Sequence, residues 1–267
     1  MGDLLRRWHA ALAQQSPAAV ATVIQGPGTG AKVLVFPEDH SGTAGNDDLD
    51  RAIVEAARGM LEGGRTGTIH LGPHGQRRME DVAVFIQSFA PPPRMYVFGA
   101  IDFASAVARA GKFMGYRVTV CDARPVFATR ERFPTADEIV VEWPDEFLKT
   151  APVDKRTVIC VLTHDPKFDV PVLVEALKTE AGYIGAMGSR RTHNNRTARL
   201  KEEGVTDEQL SRISSPVGLD IGARTPEETA IAIAAEIIAL HTGHSGGRLA
   251  ERSGPIHAAE PARESAR

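Results

Sequence analysis

Four short segments of this 267-residue chain gather side chains able to bind or transfer a group. The first is Val97-Phe98-Gly99-Ala100-Ile101-Asp102-Phe103-Ala104, at the junction of an expected strand and helix. A dinucleotide fingerprint asks for glycine at 99, 101 and 104. Gly99 complies, and Ala104 is tolerable because the third glycine serves close helix packing. The β-branched Ile101 stands where backbone must approach a pyrophosphate, so it argues against ordinary NAD binding. Asp122 follows Gly99 by 23 positions and closes the next strand, where an acidic residue binds a ribose hydroxyl. The second segment is Leu162-Thr163-His164-Asp165-Pro166-Lys167-Phe168-Asp169. Parallel sheets bind ligands outside the carboxyl ends of their strands, which directs His164 toward a ligand crevice. His164 can transfer protons near neutral pH or hydrogen-bond a heterocycle. Asp165 can orient it and Lys167 can meet an anion. The plainer reading is a capped loop, with Asp165 and Asp169 as turn and N-cap residues. Four polar groups in one loop favour function.

The third segment, Gly185-Ala186-Met187-Gly188-Ser189-Arg190-Arg191-Thr192, follows another strand and opens a helix. Ser189 is the expected cap, free N–H groups there favour an anion, and Arg190 and Arg191 can add bidentate contacts to phosphate. The alternative is an N-capped helix with two solvated arginines. Arginine at a helix start opposes the helix dipole, which an anion would offset. The fourth, Ser215-Pro216-Val217-Gly218-Leu219-Asp220-Ile221-Gly222-Ala223-Arg224, is either a flap over a ligand or a structural crossover with Asp220 as turn former. Other features read as structural. His70 and His74 flank a Gly-Pro turn, so helical metal pairing does not apply. Cys121 and Cys160 lie in apolar runs and read as core residues, not nucleophiles. The turn at Gly26-Pro27-Gly28-Thr29-Gly30 precedes a strand and lacks the end of a P-loop.

The elements that must position these segments fall into two patterns. Residues 4–14 read as an amphipathic helix, 19–24 and 32–36 as a strand hairpin, and 47–61 as a helix capped by Asp47 or Asp48. Residues 66–71 and 81–88 read as strands around a Gly72-Pro73-His74-Gly75 turn. This mixed order predicts a small α+β domain over 1–90. Pro91-Pro92-Pro93-Arg94 reads as a linker. Strands at 95–98, 117–121, 138–143, 158–162 and 183–186 then alternate with helices at 103–114, 170–179, 190–203 and 227–240. Short apolar strands alternating with helices predict an α/β domain over 95–242, with a parallel sheet covered on both faces. The last helix carries a start signal in Thr225, Pro226 and Glu228. Residues 243–267 read as a disordered tail.

Composition narrows the function classes. Length predicts roughly two domains. Gly and Pro together make about 16% of the chain and charged residues 24%, which excludes collagen-like, coiled-coil and wholly disordered chains. A net charge of −3 gives no pull toward nucleic acid or anionic membrane. Two cysteines cannot build a disulfide framework and fit a reducing cytoplasm. The first residues lack a signal-peptide core, Arg6 breaks the myristoylation pattern, and the apolar run 230–240 is too short to span a bilayer and contains Glu236. A cytoplasmic protein is expected.

Taken together, Phe98-Gly99-Ala100, Val118-Thr119-Val120-Cys121-Asp122-Ala123-Arg124, Thr163-His164-Asp165, Gly185-Ala186-Met187-Gly188-Ser189-Arg190-Arg191 and the run from Ser215 through Thr225-Pro226-Glu227-Glu228 resemble the XdhC/CoxI family of xanthine dehydrogenase and CO dehydrogenase accessory factors. The resemblance covers residues 95–242. It implies a Rossmann-like C-terminal domain and a role in maturing molybdenum hydroxylases. Members of the family bind the molybdenum cofactor, protect it, help its sulfuration through a cysteine desulfurase and deliver it to the apo-enzyme. They are carriers and chaperones more than turnover enzymes.

The cargo would be molybdopterin or its cytosine dinucleotide, and the partners an apo molybdenum hydroxylase and a cysteine desulfurase, with a homodimer also expected. Gly99, Asp102, Asp122, His164, Asp165, Gly188, Ser189, Arg190, Gly218 and Asp220 are the candidate cofactor-binding residues; no catalytic or metal-ligating residue is assigned. Two departures stand out. The family's Gly-x-Gly-His stretch is Gly99-Ala100-Ile101-Asp102 here, and its N-terminal Gly-Gly-Cys-like segment corresponds to Ser41-Gly42-Thr43-Ala44-Gly45-Asn46-Asp47, without a cysteine. The competing readings are an NAD(P)-dependent oxidoreductase, with Asp122 selecting NAD, and a scaffold that contacts only partner proteins.

Overall fold

The structure, a computed structural model, describes residues 2–14, 16–77, 79–251 and 253. It divides into two compact units, Met1–Pro93 and Arg94–Arg267. The first unit runs α1 (Gly2–Ala13), β1 (Ala18–Gln25), β2 (Lys32–Val35), β3 (His40–Gly42), α2 (Asp47–Glu62), β4 (Gly67–Leu71) and β5 (Val82–Phe89). Its five strands form an antiparallel sheet ordered β3-β2-β1-β5-β4. Alternation sets the faces. Ala19, Ala21, Val23, Val33, Val35, Val84 and Ile86 pack with Leu49, Ile53, Ala57 and Leu61 of α2 in one core. On the other face α1 lays Leu4, Trp8 and Ala11 against Ala18 and Leu34, beside a groove of about 450 Å³.

The cap of α2 differs from expectation. Asn46, not Asp47 or Asp48, accepts from the amides of Asp48 and Leu49, because Asn46 alone has the extended backbone an N-cap needs. The two aspartates sit in the first turn instead. The three-residue β3 has no sequence signal of its own; it forms by pairing with β2.

The second unit continues with β6 (Arg94–Phe98), α3 (Asp102–Phe113), β7 (Arg117–Cys121), β8 (Glu138–Val140), α4 (Pro144–Thr150), β9 (Val158–Val161), α5 (Pro166–Lys178), β10 (Tyr183–Ala186), α6 (Arg190–Glu202), α7 (Asp207–Leu210), β11 (Ile213–Ser214) and α8 (Pro226–Thr242). All strand pairs are parallel, in the order β11-β10-β9-β6-β7-β8. Counted from β6 as the first strand, that is the Rossmann order, with the switch point between β6 and β9. The strands read as unbroken apolar runs because both faces are covered. Met95, Val97, Val118, Val120 and Cys160 pack under Ala104, Val107 and Ala108 of α3 and Ile233 and Ile237 of α8. Tyr96, Phe98, Ile159, Val161 and Ile184 pack against Leu148, Val172, Leu173 and Leu200 on the opposite side. Burial of each aliphatic side chain contributes about 1.5–3 kcal/mol.

Several boundaries move. The strand read to 143 ends at Val140, and Trp143 becomes the N-cap residue of α4, a helix not foreseen. The helix read from 170 begins at Pro166, with Asp165 as its cap, so Asp169 lies inside it. The short α7 and β11 were also unforeseen. Where a tail was expected from 243, Gly243 closes α8 in the left-handed conformation and residues Leu249–Glu251 form a 3-10 turn. The rest of that tail, 252 and 254–267, lies outside the described residues. No helix among the described residues is long and apolar enough to cross a membrane.

The start signal read for α8 is realised in full. The Thr225 side chain accepts from the Glu228 amide, and the Glu228 carboxylate accepts from the Thr225 amide. Thr225→Ala is therefore expected to cost about 1 kcal/mol in urea unfolding, and an unchanged midpoint would show that α8 packing alone sets its start.

Candidate functional site

The sheet ladder extends one residue past each central strand and fixes the loop mouths. The amide of Gly99 donates to Cys121 O at 3.0 Å, that of Leu162 to Phe98 O at 2.8 Å, and that of Met187 to Val161 O at 2.8 Å. Beyond these bonds the four predicted segments leave the carboxyl ends of β6, β9, β10 and β11. At the switch point Gly99 takes φ +96°, and a Cβ there would stand 2.5 Å from the Thr163 methyl and 2.9 Å from its amide nitrogen. The first and second segments therefore touch only because residue 99 has no side chain.

The strongest link among the loops is one that sequence reasoning missed. Arg196, on the second turn of α6, is 5% exposed, and Asp169 is 3% exposed. Arg196 Nη2 donates to Asp169 Oδ2 at 2.8 Å and to Met187 O at 2.6 Å, while Nη1 donates to Ser215 Oγ at 3.3 Å. The other Asp169 oxygen accepts from the Thr163 hydroxyl. One buried pair thus touches the second, third and fourth segments. Burial pushes the Asp169 carboxyl up, opposed by the Thr163 and Arg196 contacts. Arg196 Nε has no hydrogen-bond partner among the described residues. The signal for this pair was present only as two charged residues falling on inward positions of two helices.

On the other side of the switch point the 3%-exposed Asp122 ties β7 to the first segment. Its Oδ2 accepts from the Ala100 amide at 2.7 Å and Arg124 Nη2 at 2.8 Å, and its Oδ1 from the Arg124 amide and Nε, both at 2.9 Å. Burial alone would raise this carboxyl, but the Arg124 and Ala100 bonds outweigh it and hold it below its ordinary value. The expected ribose contact from Asp122 thus meets a carboxylate already engaged within the protein.

The remaining candidates separate into framework and rim. Gly218, at φ +97°, donates its amide to Glu236 Oε2 at 2.9 Å and packs on Ala232. Tyr183 donates its hydroxyl to the same Glu236 oxygen at 2.6 Å. The base of the fourth segment is therefore fastened to α8, while Asp220 is exposed. Gly188 packs against Thr192, and Ser189 caps α6 as expected, accepting from the Thr192 amide at 3.2 Å. Asp165 does not orient His164. Its extended backbone makes it the cap of α5, its carboxylate accepts from the Lys167 amide, and Lys167 Nζ lies 3.6 Å away. Asp102 is exposed and pairs with Arg132 at 3.0 Å. Ile101 is half-buried against the core and caps α3 without a side-chain hydrogen bond.

The rim carries the exposed His164, Arg190 and Arg191 beside the ends of β9 and β10, which are neighbours in the sheet. No acidic residue lies in the first turn of α6, and neither arginine makes an ion pair among the described residues. The rim can hold an anion and hydrogen-bond a heterocycle. It has no thiol. Cys121 and Cys160 are buried, and burial pushes both up to about 12. No group of three metal-ligating side chains occurs among the described residues.

Residues 95–237 match the XdhC Rossmann domain, and residues 11–72 match the XdhC and CoxI family. The chain is 34% identical over 171 residues to a probable xanthine dehydrogenase subunit of Bacillus subtilis, covering 64% of this chain and 48% of that protein. It is 29% identical over 156 residues to the molybdenum cofactor insertion chaperone PaoD of Escherichia coli, covering 58% and 42%. The chain spans about half the length of the curated relatives it matches. A xanthine dehydrogenase structure from Bacillus halodurans aligns over 93% of this chain and 98% of that one, with TM-score 0.53 at 20% identity, a likeness of fold.

Two outcomes test this geometry. Arg196→Ala leaves Asp169 buried and unpaired, and is expected to cost about 3–5 kcal/mol in urea unfolding, most of it recovered in Asp169→Leu/Arg196→Met. A single-variant loss below about 1 kcal/mol would contradict the pairing. Asp122 titrates below its ordinary value when folded, so its stabilisation is present above about pH 4 and lost as pH falls through the folded value. Asp122→Asn should lower stability at pH 7 and flatten the acid limb of midpoint against pH. An acid limb as steep as the parent's would assign that dependence to other carboxylates.

Proposed function

The chain belongs to the XdhC and CoxI family, and from that membership we propose that it is an accessory factor that binds molybdenum cofactor and helps its sulfuration and insertion into a molybdenum hydroxylase of the xanthine or CO dehydrogenase type. The observation that carries the reading for this chain's own residues is the rim of His164, Arg190 and Arg191, exposed and without ion pairs among the described residues, beside the ends of two adjacent parallel strands. A pterin with a phosphate is a flat heterocycle bearing an anion. The Ser189-capped start of α6 and the two arginines suit the phosphate. His164, with a donor and an acceptor on one ring, suits the heterocycle.

In this reading the ten candidate residues divide their work. His164, Arg190 and Ser189 meet the cargo. Gly99, Asp122, Asp165, Gly188 and Gly218 shape and hold the loops, and Asp102 and Asp220 stand at the margins. The chain has only two cysteines, both buried with thiols held protonated. Sulfur chemistry therefore falls to a partner of the cysteine desulfurase kind, while this chain holds the cofactor and passes it to the apo-enzyme. Buried free thiols suit a reducing cytoplasm.

The test is retention. Protein purified anaerobically from cells that make the cofactor is assayed for molybdenum and pterin per chain. His164→Ala and Arg190→Ala should each weaken retention about tenfold, the effect of one charged hydrogen bond. Their unfolding midpoints should stay near the parent's, because both side chains are exposed. Full retention in both variants would contradict the assignment.

A further inference from the structure

The carrier reading gives Asp122 a loop-holding role but gives none to Arg124, beside it at the ribose end of the Rossmann crevice. Arg124 lies between aromatic rings: its guanidinium carbon is 4.6 Å from the Phe127 centroid and 5.7 Å from that of Phe168. Phe168 is buried and in turn packs on Trp143 at 5.0 Å. The ring contacts and the fork on Asp122 both suit a planar guanidinium better than a flexible ammonium. The consequence is for Asp122. A carboxylate has about four lone-pair sites, and four donors occupy them: the Ala100 amide, the Arg124 amide, Arg124 Nε and Arg124 Nη2. Two of the four come from the Arg124 side chain.

We propose that Arg124 is a specificity-determining residue: it fills the acceptor sites of Asp122 and so withholds from ligands the carboxylate that this fold otherwise offers to a ribose diol. The crevice then selects against ligands held by an adenosine 2′,3′-diol, nicotinamide dinucleotides among them. The proposal stands on the Asp122–Arg124 geometry and does not depend on the pterin reading.

The probes are ADP and 2′-deoxy-ADP, titrated calorimetrically into the full chain. The parent should discriminate between them less than twofold. Arg124→Ala should bind ADP at least about tenfold more tightly than the parent does, and about tenfold more tightly than 2′-deoxy-ADP, the effect of one hydrogen bond to a charged group. Arg124→Gln, which keeps bulk against Phe127 without the fork, should gain the same preference and serves if the alanine variant does not fold. Arg124→Ala/Asp122→Asn should lose the gain, which ties it to the carboxylate. A tenfold preference for ADP in the parent would overturn the proposal whatever the variants do. So would a folded Arg124→Ala or Arg124→Gln that still ignores the 2′-hydroxyl. Pterin retention plays no part in these readouts, so failure here and failure of the carrier reading are separate results.

Discussion

A single buried ion pair governs how the loops of the parallel domain assemble. Asp169 and Arg196 come from consecutive crossover helices, and their side chains are 4% exposed each. Two charges so far from water are tolerable only when each is paired and hydrogen-bonded. Here the requirement is met by groups from three loops: the Thr163 hydroxyl, the Met187 carbonyl and the Ser215 hydroxyl. The same interaction that makes the charges bearable therefore sets the positions of the loops. An apolar pair of equal size would pack the helices as well, but it would give the loops no polar anchor.

Much of the architecture was legible because its causes are local. Apolar runs at 95–98, 117–121 and 158–162 read as buried strands since both faces are covered, and Thr225-Pro226-Glu227-Glu228 is a self-contained helix start. The errors have one origin. Asn46, Asp47 and Asp48 are all good caps, and only backbone conformation chooses among them. Asp165 and Asp169 are chemically alike in sequence, yet one caps α5 in solvent and the other is buried inside it. The pairing of Arg196 with Asp169 spans 27 positions, which no local pattern reports. Asp122 was legible as an acidic residue at a strand end, but its hydrogen bonds to Arg124, which folds back onto it from two residues on, were not.

The site is built on a Rossmann frame. The frame supplies strand ends in register, a glycine at the switch point and a capped helix. What distinguishes this chain lies in the side chains on that frame: Ile101 in place of a glycine, an acceptor-filled Asp122 and arginines where the first turn of α6 would favour acids. Those features are the ones on which the proposed anionic cargo and the proposed exclusion of a diol-held dinucleotide rest. The N-terminal unit has its own core and sheet, and none of its residues enters the ten candidates.

The claim on which the rest depends is that the Asp169–Arg196 pair holds three loops at once. Hydrogen exchange on the parent and on Arg196→Lys tests it most directly, because lysine keeps the charge but loses the fork. The account predicts faster amide exchange in all three of 163–165, 187–189 and 214–217, with the N-terminal unit unchanged. Faster exchange confined to α6, with the three loops protected as in the parent, would contradict it.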